Sequence, residues 1–536
     1  MSAKTPQNDA KEIELKLGFE PQHAEILLGH SVFSSGDGAT PVPGRRVLET
    51  KERHLDSTYY DTPDDHLRKA GVFLRVRRTG HGFVQTIKTG RALSEFLERD
   101  EWECDLASDT PNLAFAEGTA LAPLLTNDVR ASLAPRFATR FHRQTFLIDD
   151  SGTLIEAAID RGDIVAGENS SMVCELELEL KSGESTALFS LAKHLAESVP
   201  LTLSIKTKAE RGFDLLDNGE PQFEKALPVH ISPEQTCATA FRIVARNCMR
   251  QIIVNLPGTR AGHAEALHQM RVGLRRLRAA ITLFGDVVDG PDRRDIAAEA
   301  KWIAGQLGPA RDLDVFISDV LEPQLATYPN DPGWTALDTR VRRLRAGAYD
   351  QAIDATRSRR FRMALLDLGA WVEFGDWAGP ENPRAQEPVT RLAGAQLSHL
   401  RRKIIEKGKG IKKLSVSQRH RLRILAKRMR YGSEFFCATF EGKKSAKRRS
   451  RSLPALERLQ DSLGTLNDIA TRKSVLDESV LEKSVLDKTG LGAGSAGLDI
   501  PAWQCPKAEA KFAKELMKTA KHAYARFADT EEFWKT

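Results

Sequence analysis

The chain has 536 residues, 41% of them hydrophobic and 28% charged, with a formal net charge of +6. That length points to two or more domains, and no stretch approaches the roughly 20 apolar residues that a membrane helix needs. The opening residues, MSAKTPQNDAKEIELK, lack the apolar core of a secretory signal, and six scattered cysteines without a C-x-x-C pair argue for a reducing cytoplasm rather than a disulfide scaffold or zinc ribbon.

The charge is unevenly spread. Residues 1–229 hold 26 Lys and Arg against 37 Asp and Glu, whereas residues 230–536 hold 53 against 36. A basic half attracts polyanions: nucleic acid, anionic membrane or polyphosphate.

In chain order, the acidic half reads as eight short alternating strands: KEIELKLGF, VFLRVRR, FVQTIK, RDEWECDL, TFLIDD, TLIEAAIDRG, CELELELKSG and TLSIKTK, parted by turn signals such as GHG, DDSG and KSG. Helices are expected at PQHAEILLGH and STALFSLAKHLAES. This pattern predicts an antiparallel sheet or barrel over 1–216. Residues 217–232, broken by proline, read as a linker. Residues 233–536 read as helices, including EALHQMRVGLRRLRAAITLF and QRHRLRILAKRMRYGSEFF. A second break at GPENPRAQEPVTR splits them into two repeats, about 233–378 and 392–536. HQMRVGLRRLRAAITLF (268–284) aligns without gaps on HRLRILAKRMRYGSEFF (420–436), and QLGPARDLDVF (306–316) on SLGTLNDIATR (462–472). The fold class is therefore multidomain: an N-terminal antiparallel eight-stranded β tunnel with flanking helices, then an all-α duplicated bundle. The pentads SVLDE-SVLEK-SVLDK (474–488) read as a local expansion without chemistry.

Side chains at i and i+2 of a strand point the same way. Glu12, Glu14 and Lys16 share one strand face; so do Arg75 and Arg77, Glu101 and Glu103, Glu175, Glu177 and Glu179, and Ser204, Lys206 and Lys208. An ordinary solvated face explains any one of these, but a solvated face mixes its polar residues. Here some strands offer only carboxylates and others only cations. If the sheet closes, these faces line a tunnel. Unpaired carboxylates there need a hard divalent ion, Mg²⁺ or Mn²⁺, and the cations Lys16, Arg75, Arg77, Lys88, Arg143, Lys206 and Arg211 need an oxygen-rich anion such as a chain of phosphates.

The same residues resemble the CYTH domain, the triphosphate tunnel metalloenzymes. EIELK (12–16) looks like its ExExK signature, followed by YYDT (59–62), FLRVRR (73–78), TIK (86–88), DEWEC (100–104), FHRQTF (141–146), IDRG (159–162), ELELE (175–179) and TKAERG (207–212). The resemblance implies an eight-stranded tunnel that hydrolyses or transfers triphosphates with Mg²⁺ or Mn²⁺. It implies metal near Glu12, Glu14, Asp160, Glu175, Glu177 and, with the register open, Glu179. It implies phosphate binding by Lys16, Arg75, Arg77, Lys88, Arg143, Arg211 and either Lys206 or Lys208. Glu101 or Glu103 orients or deprotonates the attacking water, or simply supports the arginines.

In the basic half, His268, Arg271, Arg275 and Arg278 form one helical stripe, repeated by His420, Arg423, Lys427 and Arg430. Leu274, Leu277, Ile281 and Phe284 form the core side. A charge stripe is ordinarily a solvated face, but no Asp or Glu interrupts 266–285 or 407–433 to supply i,i+4 partners. Two such stripes can face each other across a positive channel. With LGPARDLD they resemble the CHAD domain, which implies long-chain polyphosphate binding, Arg311 included; its counterpart in the second copy is Asn467. The histidines serve packing or ligand binding. The tandem order looks like bacterial inorganic triphosphatases and implies an enzyme that cleaves inorganic tripolyphosphate to pyrophosphate and phosphate. Alternatives are a thiamine or nucleoside triphosphatase, an RNA 5′-triphosphatase or an adenylate cyclase of the same fold, or a non-catalytic polyphosphate-granule protein. A membrane partner is not expected, and nucleic acid is disfavoured because the basic stripes carry few aromatics for stacking.

Overall fold

The computed structural model describes residues 12–34, 44–80, 82–89, 98–217, 223–476 and 506–535. Contacts divide the chain into two compact units, Met1–Glu224 with Arg357–Ala370, and Lys225–Thr356 with Trp371–Thr536.

The first unit is built on an antiparallel sheet. Its strands are β1 (Glu12–Gly18), β2 (Arg45–Asp61), β3 (Val72–Thr79), β4 (Gly82–Thr89), β5 (Glu98–Arg99), β6 (Glu101–Leu106), β7 (Ala134–Asp150), β8 (Thr153–Ala166), β9 (Asn169–Ser182) and β10 (Thr202–Ser204). Hydrogen bonds connect them in the order β10-β1-β9-β8-β7-β2-β3-β4-β6. The expected closed eight-stranded barrel is thus corrected to a nine-strand path. Closure is partial: among the described residues two pairs, Glu12 with Arg99 and Ile13 with Glu98, tie β1 to β5. The other half of that edge of β1 is taken by β10.

Two further strand expectations change. β2, 17 residues long, escapes sequence reading because its first part, RRVLETKERH, is exposed on both faces and shows no apolar alternation. TLSIKTK is a strand only to Ser204. The chain then turns into α2 (Lys208–Leu216), whose start is fixed by a capping box between Thr207 and Glu210. Ahead of it, α1 (Thr186–Ser198) buries Leu188, Leu191 and Leu195.

The outward faces of the strands are apolar, as expected. Leu15 and Leu17 of β1 and Leu176 and Leu178 of β9 are buried, and α1 packs on those two strands. Leu74 and Ile87 join Leu67, Leu121 and Val129 in a second outer cluster. The inward face is not charged throughout. Toward one end Leu55, Tyr59, Phe137, Phe141, Ile164 and Val173 pack with Ala209, Phe213 and Leu215 of α2 in one buried cluster, so α2 caps that end of the bore. Gly212 is essential to this fit, since a Cβ there would lie 2.1 Å from the Phe137 ring.

The second unit is helical. In its first part run α3 (Cys237–Val254), α4 (Ala264–Leu283), α5 (Arg293–Gln306), α6 (Gly308–Phe316) and α7 (Pro332–Arg357). α8 (Arg359–Phe374) is divided between the units. Then come α9 (Val389–Gly408), α10 (Val416–Phe436), α11 (Lys443–Leu476) and α12 (Pro506–Asp529). α4 and α10 carry the aligned segments 268–284 and 420–436. α5 and α6, parted at Leu307, correspond to the single helix α11. The predicted core positions Leu274, Leu277, Ile281 and Phe284 are all buried. Of the pentad run, residues 477–488 lie outside the described residues.

Candidate functional site

The strand register brings the charged positions of the first unit together. Across β1, β9 and β8, Glu14 stands opposite Glu179, and Glu179 opposite Glu156. In the next row Lys16 faces Glu177. In the next, Glu175 faces Asp160 and Asp160 faces Arg143. With β3, β4 and β6 adding Arg75, Arg77, Lys88, Glu101 and Glu103, these rows, apart from Glu175, line a cavity of about 410 Å³; neither Glu175 nor Arg211 is on its lining. The Glu12 side chain lies outside the described residues.

The carboxylates were expected to lack cation partners. The structure pairs them, because Lys16 of β1, Arg143 of β7 and Lys208 of α2 meet the carboxylates of β8 and β9 across the bore. Arg143 donates to Asp160 at 2.7 and 2.6 Å and to Glu177 at 2.5 Å. The Lys16 ammonium reaches Glu14 at 2.8 Å and Glu177 at 2.6 Å. Lys208, the first residue of α2, sits among Asp160, Glu177 and Glu175 at 2.8, 2.9 and 3.0 Å. A lysine at the positive end of a helix is unfavourable by itself. Burial also opposes its charge, but those three carboxylates hold its pKa above the ordinary lysine value. Burial alone would raise Glu177; Lys16, Lys208 and Arg143 instead hold it well below the usual carboxylate range. Asp160 is lowered in the same way, against burial, by Lys208 and Arg143.

The two candidate lysines are placed differently. Lys208 lines the cavity, whereas Lys206 turns to Asp214 and Glu224 at 2.7 and 2.8 Å and is not brought to it. Arg211 donates to Glu175 at 2.8 Å. Asp160 and Glu175 are fully buried and serve here as counter-ions of the cations around them.

Arg77 differs from its neighbours. It is enclosed beside Arg75 and Arg143, and its nearest polar contact is the Ser57 hydroxyl at 3.3 Å. Among the described residues no carboxylate forms an ion pair with it. Burial first, then Arg75 and Arg143, depress its pKa to about 10. Such a crowded guanidinium group favours an incoming anion. Nearby, Lys88 pairs with Glu101 at 2.8 Å. Glu103 accepts from the Thr86 hydroxyl at 2.8 Å, and Arg75 stands 3.6 Å away. Asp61 of YYDT has a structural role. Its buried carboxylate accepts the backbone N–H groups of Thr62, Leu67 and Arg68, pinning the turn into β3.

Sequence reading missed Lys51, Arg53, Glu156 and Lys181, which also line the cavity. Lys51 and Arg53 lie on the unrecognised strand. Glu156 carries a legible signal, since it sits four residues before Asp160 on one strand and therefore on the same face.

The second unit contains a separate cleft of about 1250 Å³. It brings together Arg275 and Arg278 of α4 with His420, Arg423 and Lys427 of α10. Arg428 joins them, and Arg293, Arg294 and Lys301 come from α5. Among the described residues its lining includes a single carboxylate, Asp289. His268, Arg271, Arg311 and Arg430 are not on this lining. Arg271 donates to the Ala304 carbonyl at 2.8 Å, and Arg430 to Gln460 at 3.0 Å. His268 is no cation at neutral pH: burial, then Arg311, push its pKa down to about 4. Its repeat partner His420 meets Asn467 at 3.3 Å, so the expected 268/311 and 420/467 correspondence has a spatial counterpart.

The CYTH domain family matches residues 10–213 and the CHAD domain family residues 243–477. The chain therefore carries a CYTH domain followed by a CHAD domain. It is 33% identical over 215 residues to an inorganic triphosphatase of Haemophilus influenzae, covering 40% of this chain and 56% of that protein. It is 25% identical over 403 residues to an uncharacterized protein of Mycobacterium tuberculosis, covering 69% and 73%. Among solved structures, the CHAD domain from Ricinus communis is similar, at 25% identity and a TM-score of 0.44, over 58% of this chain and 97% of that one.

The CYTH family implies a divalent metal. The donors on the Glu14–Glu179–Glu156 row fit a hard ion, being carboxylate oxygens without sulfur or imidazole. Among the described residues no three acidic, histidine or cysteine side chains form a ready cage, because lysines stand among these carboxylates. No described helix is long and apolar enough to cross a membrane.

Proposed function

We propose that the sheet unit hydrolyses inorganic tripolyphosphate to pyrophosphate and orthophosphate with bound Mg²⁺ or Mn²⁺, and that the helical unit binds long-chain polyphosphate in its basic cleft. The observation that carries the reading is Arg77, an enclosed cation without a carboxylate partner among the described residues, flanked by two more arginines in a cavity that also offers a carboxylate row. An anion with many oxygens answers the first feature and a hard cation the second.

Glu14, Glu156 and Glu179, with Glu12 of the same strand, would hold the ion. Bound there, it neutralises phosphate charge and positions a water. Arg75, Arg77, Arg143, Lys88 and Lys16 grip the phosphate oxygens, and Asp160, Glu175 and Glu177 keep Arg143 and Lys208 in place on the cavity wall. Glu103 is the better proton acceptor of its pair. Glu101 is neutralised by Lys88 at 2.8 Å, whereas Glu103 accepts from the neutral Thr86 hydroxyl at 2.8 Å and has its cation, Arg75, farther off at 3.6 Å. The water oxygen bonds to the terminal phosphorus, its proton passes to Glu103, and the bond from that phosphorus to the bridging oxygen breaks to release pyrophosphate.

Turnover should be compared across tripolyphosphate, ATP, thiamine triphosphate and long chains, with and without each metal. Tripolyphosphate should be preferred, and Glu103→Gln should lower kcat at least about 100-fold. Preference for ATP or thiamine triphosphate would replace this reading with an organic triphosphatase, and metal-independent turnover would remove the ion from it.

A further inference from the structure

Lys181 stands at the end of β9, and its ammonium lies 2.6 Å from Glu179 and 3.5 Å from Glu156. These are two of the three carboxylates on the row described above. Two other lysines among the bore carboxylates are more enclosed: the Lys16 side chain is 9% and that of Lys208 14% exposed, both in multiple ion pairs. Lys181 is 37% exposed, and its four-carbon stem leaves it free to swing into solvent.

We infer that Lys181 is a built-in competitor of the divalent ion. It occupies the carboxylates while the site is empty and must move aside for the ion to enter. The inference rests on the metal-dependent reading above. An ion and an ammonium cannot both stand on Glu179 and Glu156, since their mutual repulsion at a few ångströms adds to the loss of shared oxygens. Half-exposed ion pairs are weak, so the displacement is easy. Lys181 therefore tunes the metal concentration at which the site fills, and does not block it. In the empty protein it spares the row the repulsion of adjacent carboxylates.

The test is Mn²⁺ binding to the full-length protein without substrate, followed by the electron paramagnetic resonance signal of free Mn²⁺. A Glu14→Gln, Glu179→Gln double variant identifies which binding belongs to this row. Lys181→Gln should bind Mn²⁺ about two- to fivefold more tightly than wild type, while Lys181→Arg, which keeps the charge, should resemble wild type. Equal or weaker binding by Lys181→Gln, with wild type binding normally, overturns the inference and leaves the proposed function standing. No row-dependent Mn²⁺ binding in wild type would overturn both.

Discussion

Glu177 is the hub of the bore, held by Lys16, Arg143 and Lys208 together. Its folded-state pKa lies below its unfolded one, as does that of Asp160. Such groups contribute stability that is present above the unfolded carboxylate value and is lost as pH falls through the folded value. The melting temperature of the sheet unit should therefore drop steeply below about pH 4. Glu177→Gln should cost about 3 kcal/mol at pH 7, because it leaves buried cations uncompensated, and should flatten that acid limb; thermal melts across pH read both. At this scale alternation made Glu14, Lys16, Arg75, Arg77 and Glu177 legible. It did not reveal that the acids would be paired, because cross-strand partners depend on a register that one strand does not encode.

Elements were legible where the apolar pattern was clean and hidden where it was not. β8 and β9 alternate, and they form ladders with each other over almost their whole lengths. β2 lacks the pattern because its first part is solvated on both sides, and with it Lys51 and Arg53 went unseen. At the other end of the bore, TLSIKTK looked like a strand through Lys208, but the Thr207 cap turned the chain into α2. That turn puts Lys208 inside the bore and Lys206 outside it. The seat of α2 depends on Gly212 lying flat on Phe137. Gly212→Ala should destabilise the sheet unit by about 2 kcal/mol and reduce tripolyphosphate turnover through the misplaced Lys208. Denaturant unfolding combined with kinetics would check both. An unshifted midpoint would show that the ring yields without cost.

Over the whole molecule, the split between acidic and basic halves was the strongest signal in the sequence and corresponds to two different cavities. One mixes both signs of charge; the other is almost purely cationic. The two segments that align in sequence both line the second, α4 and α10 presenting Arg275 and Arg423 to one cleft. Sequence could not see the contribution of α5, whose Arg293, Arg294 and Lys301 acquire their role only once it lies beside α4. Reversing the charge on both helices, Arg275→Glu with Arg423→Glu, should abolish long-chain polyphosphate binding at moderate salt and leave tripolyphosphate hydrolysis unchanged. Titrations at two ionic strengths would check this, since wild-type binding should weaken with salt. Unaltered binding by the double variant would move the polyphosphate site elsewhere.

The seat of α2 over the apolar end of the sheet stops the bore at that end. On the proposed function, pyrophosphate leaving by the end away from α2 would stand in the path of the next molecule and compete with it. A polymer longer than the pocket is deep can offer only its tip, and so would be trimmed from an end and never cut in its middle.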